Sequence, residues 1–193
     1  MPDRILVIDA HPDPDPARLC HALADAYVAG AEGAGRRVAR IGLAGLDLPI
    51  LRTAAEYREG APPPAAAAAQ AEIARAGHLV LIYPLWLGTL PALAKAFLEQ
   101  VLRPGFAAET SGGLPKGRLA GRSARVVVTM GMPALAYRWW FGAHSLRSLE
   151  RNVLKFCGFG PVRDTLFGGA EDAAAARRAR WLATMRRLGA EGR

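Results

Sequence analysis

Three short stretches hold the residues best suited to chemistry: AHPDPDPARL at 10–19, YPLWLGTLP at 83–91 and TMGMP at 129–133. In the first, a helix opening at Pro16 would leave its leading N–H groups without internal acceptors, at the positive end of the helix dipole. A phosphate is a natural occupant of such an end. His11 and Arg18 would add side-chain donors around the turn at Ala17 and Leu19. Asp13 and Asp15 weigh the other way, because Asp15 as N-cap competes for the same N–H groups. An ordinary capped strand-to-helix turn fits this loop as well as an anion site does.

The second and third loops are apolar where most short loops are polar. Trp86 and Leu87 could lie against a flat ring, while the main chain of Pro84, Leu85 and Gly88 bonds its edge. Thr129, Met130 and Gly131 close another apolar run, and Gly131 permits close backbone approach or a positive φ. One phosphate loop and two apolar loops describe a site for a planar ring on a phosphorylated tail, and a flavin fits. An exposed aromatic here also suits a subunit interface, and both readings can hold together.

Loops of this kind need a scaffold that brings them to one place. Residues 4–11, 38–44, 78–84, 125–130 and 162–167 read as five short apolar strands. Between and after them lie helical patterns at 16–30, 62–77, 91–103, 144–157 and 172–188. The segment 104–124 is a Gly- and Pro-rich excursion. Strands alternating with helices imply an α/β fold, a parallel sheet with helices on both faces. The unbroken apolarity of HLVLIYP (78–84) marks a strand covered on both sides. In such sheets ligands sit beyond the carboxyl ends of the strands, where the three loops fall.

Composition bounds the rest. With 193 residues the chain fits a single domain spanning 1–193. The expectation is a cytoplasmic protein: the opening MPDRILVIDAHP runs straight into a strand pattern, and no apolar run is long enough to insert in a membrane. Cys20 and Cys157 lack metal or redox spacing, and the four histidines form no metal-ligand pairs, so no metal is expected. His21 in a helix and His78 at a strand start read as structural. Net charge is +8, with fourteen basic residues against five acids in 118–193. The basic residues are dispersed and no nucleic-acid motif accompanies them, so a solvated arginine surface is the reading rather than a nucleic-acid partner. No G-x-G-x-x-G follows a strand and no G-x-S-x-G occurs, which removes the dinucleotide fingerprint and the α/β-hydrolase elbow.

Three longer stretches, AHPDPDPARLCHAL (10–23), YPLWLGTLPALAKAFLEQVLRPGFA (83–107) and LKFCGF (154–159) after TMGMPALAY (129–137), resemble the flavodoxin-like NAD(P)H:quinone oxidoreductase family. That family includes DT-diaphorase, the modulator of drug activity B and the ancillary oxidoreductases of potassium-efflux systems. The middle stretch, P-L-x-x-x-x-x-P-A-x-x-K with a P-G-F-A tail, is the most specific. The resemblance implies a flavodoxin-like three-layer sandwich, a five-stranded parallel sheet of order 2-1-3-4-5 and a homodimer. It also implies FMN, or alternatively FAD, with NAD(P)H as co-substrate and a quinone or similar aromatic acceptor reduced in ping-pong fashion. Carried over by residue, His11, Ala17, Arg18 and Leu19 would take the phosphates. Pro84, Leu85, Trp86, Leu87 and Gly88 would border one side of the ring, and Thr129, Met130 and Gly131 the other. Tyr137 and His144 would be the catalytic donors. The chain departs from the family at Ala17, commonly Ser, and at Met132, commonly a second Gly. The alternative implied is a flavin-binding regulatory or electron-carrying partner, of the transporter-ancillary type, without significant turnover.

Overall fold

His78–Pro84 (β3) is buried at every position and is the middle strand of a five-stranded parallel sheet. The computed structural model describes residues 3–109 and 116–193. The chain runs β1 (Arg4–Asp9), α1 (Leu19–Gly33), β2 (Arg37–Gly42), α2 (Ala54–Glu59), α3 (Pro64–Arg75), then β3 and α4 (Ala92–Val101). After them come β4 (Ala108–Glu109), β5 (Lys116–Gly117), β6 (Ser123–Met130), α5 (His144–Ser148), β7 (Val162–Gly168) and α6 (Ala175–Glu191). The main sheet is ordered β2-β1-β3-β6-β7, which is 2-1-3-4-5 once the two-residue strands β4 and β5 are set aside as a separate ladder. Its paired neighbours are all parallel.

Alternate residues of each central strand feed two cores. Leu6 and Ile8, Leu79 and Leu81, and Val126 and Val128 face α3, α4 and the segment after residue 143. Ile5 and Val7, Val80 and Ile82, and Val127 face α1 and α6. A strand with apolar side chains on both pleat faces is stable only between two helical layers, which is why these runs lack polar alternation. β1, β3 and β6 therefore sit at the centre, and their carboxyl ends open side by side on one rim.

The elements depart from the sequence expectation in four places. Helix one begins at Leu19 rather than Pro16, because the carboxylates of Asp13 and Asp15 take the N–H groups of Asp15 and Ala17 and hold the chain in turns. α2 was not anticipated, although Thr53-x-x-Glu56 has the capping spacing and the Thr53 hydroxyl accepts the Glu56 N–H at 3.1 Å. The helix at 144–157 is α-helical only to Ser148 and continues as a π-helical turn over Leu149–Lys155, with a second such turn at Ala136–Trp140. The excursion at 104–124 carries β4 and β5, while 110–115 lie outside the described residues.

Candidate cofactor site

Direct bonds tie the three loops to one another at the rim. The Ala10 N–H donates to the Ile82 carbonyl at 2.8 Å, and the Leu85 N–H donates to the Thr129 carbonyl at 2.8 Å. Cys20 Sγ and Thr129 Oγ1 meet at 3.3 Å inside the wall. The His11 ring stands edge-on to Trp86, with centroids 5.8 Å apart and planes at 82°. Helix one, β1, β3 and β6 thus contribute to one rigid mouth.

The second loop is a tight two-residue turn. Trp86 and Thr89 exchange both main-chain hydrogen bonds, at 2.9 and 3.0 Å. Between them Leu87 and Gly88 have φ of 47° and 76°, as a type I′ turn requires. Glycine adopts that backbone freely, but leucine does so at a cost. Leu87 is also fully exposed at 103% and Trp86 half-exposed at 48%. Strain and exposed apolar surface together set this turn apart from an ordinary polar hairpin loop.

In the first loop the expected donors are largely engaged. Arg18 is bound by the Asp13 carboxylate at 2.7 Å and lies 3.4 Å from Asp15. The Ala17 N–H donates to Asp15 Oδ1 at 3.0 Å. The N–H groups that stay open, with no acceptor among the described residues, include those of Leu19 and Cys20 at the start of α1. His11 is 7% exposed, and burial lowers its pKa against the opposing pull of the Asp13 backbone. His21, expected to be merely structural, sits at the base of the loop. Its Nδ1 lies 2.6 Å from the Asp9 carboxylate and its Nε2 2.9 Å from the Asp13 carbonyl. Asp9, Cys20 and His21 were missed because nothing in their spacing shows that the end of β1 faces helix one.

In the third loop, Thr129 and Met130 are buried and only Gly131 reaches the surface. Its φ is not positive, and a Cβ there would come within 2.9 Å of the Glu171 carboxylate, which flanks the loop from the segment before α6. Tyr137 is 3% exposed, with its hydroxyl 2.8 Å from Ser145 Oγ and 3.3 Å from the Leu146 N–H. It braces α5 from within and does not open onto the mouth. His144 is exposed and its ring lies over Gly142, where a Cβ would stand 2.7 Å from Nε2. Tyr137→Phe is accordingly expected to cost the folded state about 1–2 kcal/mol in urea melts, by leaving the Leu146 N–H and the Ser145 hydroxyl without that partner.

A cavity of about 850 Å³ lies on the α4 side of the sheet, with Thr89 and Leu90 of the second loop in its lining. Leu98, Leu102, Leu149, Val153 and Phe156 make it apolar.

The mouth fits a flavin on the chain's own terms: two open N–H groups at a helix start, and an aromatic turn beside them. The pattern of the flavodoxin-like fold family matches residues 3–188. The chain belongs to this family. An uncharacterized NAD(P)H oxidoreductase of Haemophilus influenzae is 33% identical over 97 residues, covering 50% of this chain and 48% of that one. The chain thus spans about half the length of that curated relative. The solved NAD(P)H:quinone oxidoreductase of Methanothermobacter marburgensis superposes with a TM-score of 0.82 at 22% identity, over 98% of both chains. An FMN-dependent NADH-azoreductase of Bacillus anthracis, solved with FMN, gives a TM-score of 0.77 at 15% identity, again over 98% of each. These two likenesses concern the fold. Among the described residues, no helix is long and apolar enough to cross a membrane, and no group of three or more His, Cys, Asp or Glu is arranged to hold a metal.

Proposed function

We propose that the chain is a flavin-dependent NAD(P)H oxidoreductase that reduces a quinone or similar flat acceptor. The observation that carries this reading is the meeting of His11 and Trp86 beside the open Leu19 and Cys20 N–H groups. The helix start would hold the phosphates. The main chain of 84–88 and the edge at Gly131 would border the ring, and Trp86 with Leu87 would exclude water from it. A bound flavin would supply the hydride-accepting and hydride-donating chemistry. The protein's part is to bind, orient and stabilise charge. His144, exposed behind the third loop, is the proposed proton donor to the acceptor oxygen. Tyr137 holds α5, and with it His144, in place.

FMN is the proposed cofactor, since two open N–H groups match a single phosphate; FAD is the alternative, because the carboxylates of Asp13 and Asp15 disfavour a terminal dianion. NAD(P)H and acceptor would use the same open face in turn, so parallel double-reciprocal plots are expected. A homodimer is proposed from Trp139, Trp140 and Phe141, which stand 80%, 85% and 54% exposed on successive residues. Sedimentation velocity tests it.

The deciding experiment is a visible spectrum of the purified protein with mass identification of the released cofactor, followed by NAD(P)H oxidation with a quinone. A colourless protein that takes up neither flavin ends the proposal. A bound flavin that NAD(P)H does not reduce favours the regulatory or electron-carrying partner instead. Trp86→Ala should weaken flavin binding by roughly 10- to 30-fold, through lost ring contact and loss of its support for His11, as read by fluorescence titration.

A further inference from the structure

His21 is held by two acceptors at once. Its Nδ1 is 2.6 Å from Asp9 Oδ2 and its Nε2 is 2.9 Å from the Asp13 carbonyl. A carboxylate and a carbonyl oxygen can only accept, so both ring nitrogens must carry hydrogen and the ring is an imidazolium. A neutral ring would turn a lone pair towards one of the two oxygens. His11 differs. Its Nδ1 lies 3.1 Å from the Asp13 N–H and 3.2 Å from the Asp13 carbonyl, and the neutral ring that burial favours accepts the N–H. Asp13 is therefore gripped at both backbone polar atoms, its N–H by His11 and its carbonyl by His21.

Charge makes the second grip matter to an anion. Besides Asp13, the groups facing His21 are Asp9 from β1, Arg40 from β2, the His11 ring at 5.5 Å, Arg18 at the N-cap of its helix and Asp25 on that helix. Arg40 bonds Asp9 at 2.8 Å and also pairs with Asp25, while Arg18 is taken by Asp13 and Asp15. With Asp15 counted beside Asp9, Asp13 and Asp25, four carboxylates stand against the guanidinium groups of Arg18 and Arg40, so His21 is the third cation. Without it the surroundings of the α1 start would be two charges negative.

We propose that His21 is a positioning residue for the cofactor's anionic tail: as an imidazolium it clamps the 11–15 turn to the end of β1 and supplies the positive charge beside the open Leu19 and Cys20 N–H groups. This rests on the flavin reading for the identity of the tail, while the clamp rests on the hydrogen bonds alone. Burial opposes the charge on His21, but the Asp9 carboxylate and the Asp13 carbonyl outweigh it and raise its pKa above 6.5. Raising the pH through that value removes one hydrogen bond and one charge together.

The test uses the full-length protein. Long-range ¹⁵N–¹H correlation spectra, with His21 assigned by its absence in His21→Gln, should show both nitrogens protonated at pH 6.5 and a titration above that value. Hydrogen exchange at Asp13, Asp15 and Ala17 should quicken in His21→Gln. FMN and FAD dissociation constants, measured between pH 6 and 9, should rise roughly tenfold in the wild type across the His21 titration. In His21→Gln they should be weak at pH 6 and flat across that range. A singly protonated His21 at pH 6.5 overturns the clamp. Parallel flavin affinities in the two proteins overturn its role toward the tail. If neither flavin binds to either protein while His21 is doubly protonated and the exchange rates shift, the flavin reading falls, the role toward its tail falls with it, and the clamp is upheld.

Discussion

Gly30→Val should destabilise the folded protein by roughly 3 kcal/mol or more and lower its urea midpoint accordingly. α1 and α6 cross at van der Waals distance, made so by two glycines. A Cβ on Gly30 would come within 1.9 Å of the Arg186 carbonyl oxygen, and one on Gly189 within 2.0 Å of the Tyr27 carbonyl. Both obstructions are backbone atoms, so no side-chain rotation relieves them. Separating the helices would loosen Tyr27, Ala31, Met185 and Leu188, which close one whole face of the sheet. Gly33→Ala is the matched control on the same helix, since a Cβ there meets nothing within 4 Å. It should be neutral or stabilising by up to about 1 kcal/mol. Equal stability of Gly30→Val and the wild type would mean that the helices do not approach this closely.

Acid should destabilise the protein between pH 6.5 and about 4 through His78. This ring opens β3, is 1% exposed, and has Nδ1 at 2.8 Å from Ser123 Oγ and Nε2 buried with no hydrogen-bond partner among the described residues. Burial first, and the nearby Arg125 and Arg163 charges as well, push its pKa down to about 4. In the unfolded chain the ring titrates at its ordinary value near 6.5. Between these values the unfolded state binds the extra proton, so stability falls as pH falls, by up to about 3 kcal/mol. His11, lowered by burial, acts in the same direction. His21 acts in the opposite direction and in another window: with its folded pKa raised, its contribution is complete below 6.5 and is lost as pH rises through the folded value. Maximum stability is expected near pH 6.5–7. Urea midpoints at pH 4.5, 6.5 and 8.5 check both slopes, and His78→Gln should flatten the acid one alone. His11 leaves a smaller acid slope in His78→Gln, and a slope undiminished by that substitution would place its origin elsewhere.

Much of the scaffold could be read locally. HLVLIYP proved to be a strand over those same residues, because a run apolar on both pleat faces has no stable place outside a doubly covered sheet. The three rim loops follow from the same logic, since each directly follows or ends such a run. Strand order was another matter: it came from the family resemblance, because an apolar strand carries no mark of which neighbour it will pair with.

The limits appear at single residues. Arg18 was legible as a donor beside a helix start, but folding set it against Asp13 and Asp15 and left the main chain of Leu19 and Cys20 open instead. Tyr137 stood at a suggestive spacing after Thr129, and the π-helical turn at 136–140 rotated it into the core against Ser145. His21 looked like one more residue on a helix until β1 brought Asp9 to 2.6 Å from its ring. Composition and periodicity determine which face of an element is covered, because burial is a property of a side chain and its near neighbours along the chain. Which polar atom meets which is decided between elements far apart in sequence, at separations of 2.6–3.3 Å, and only the tertiary structure sets those.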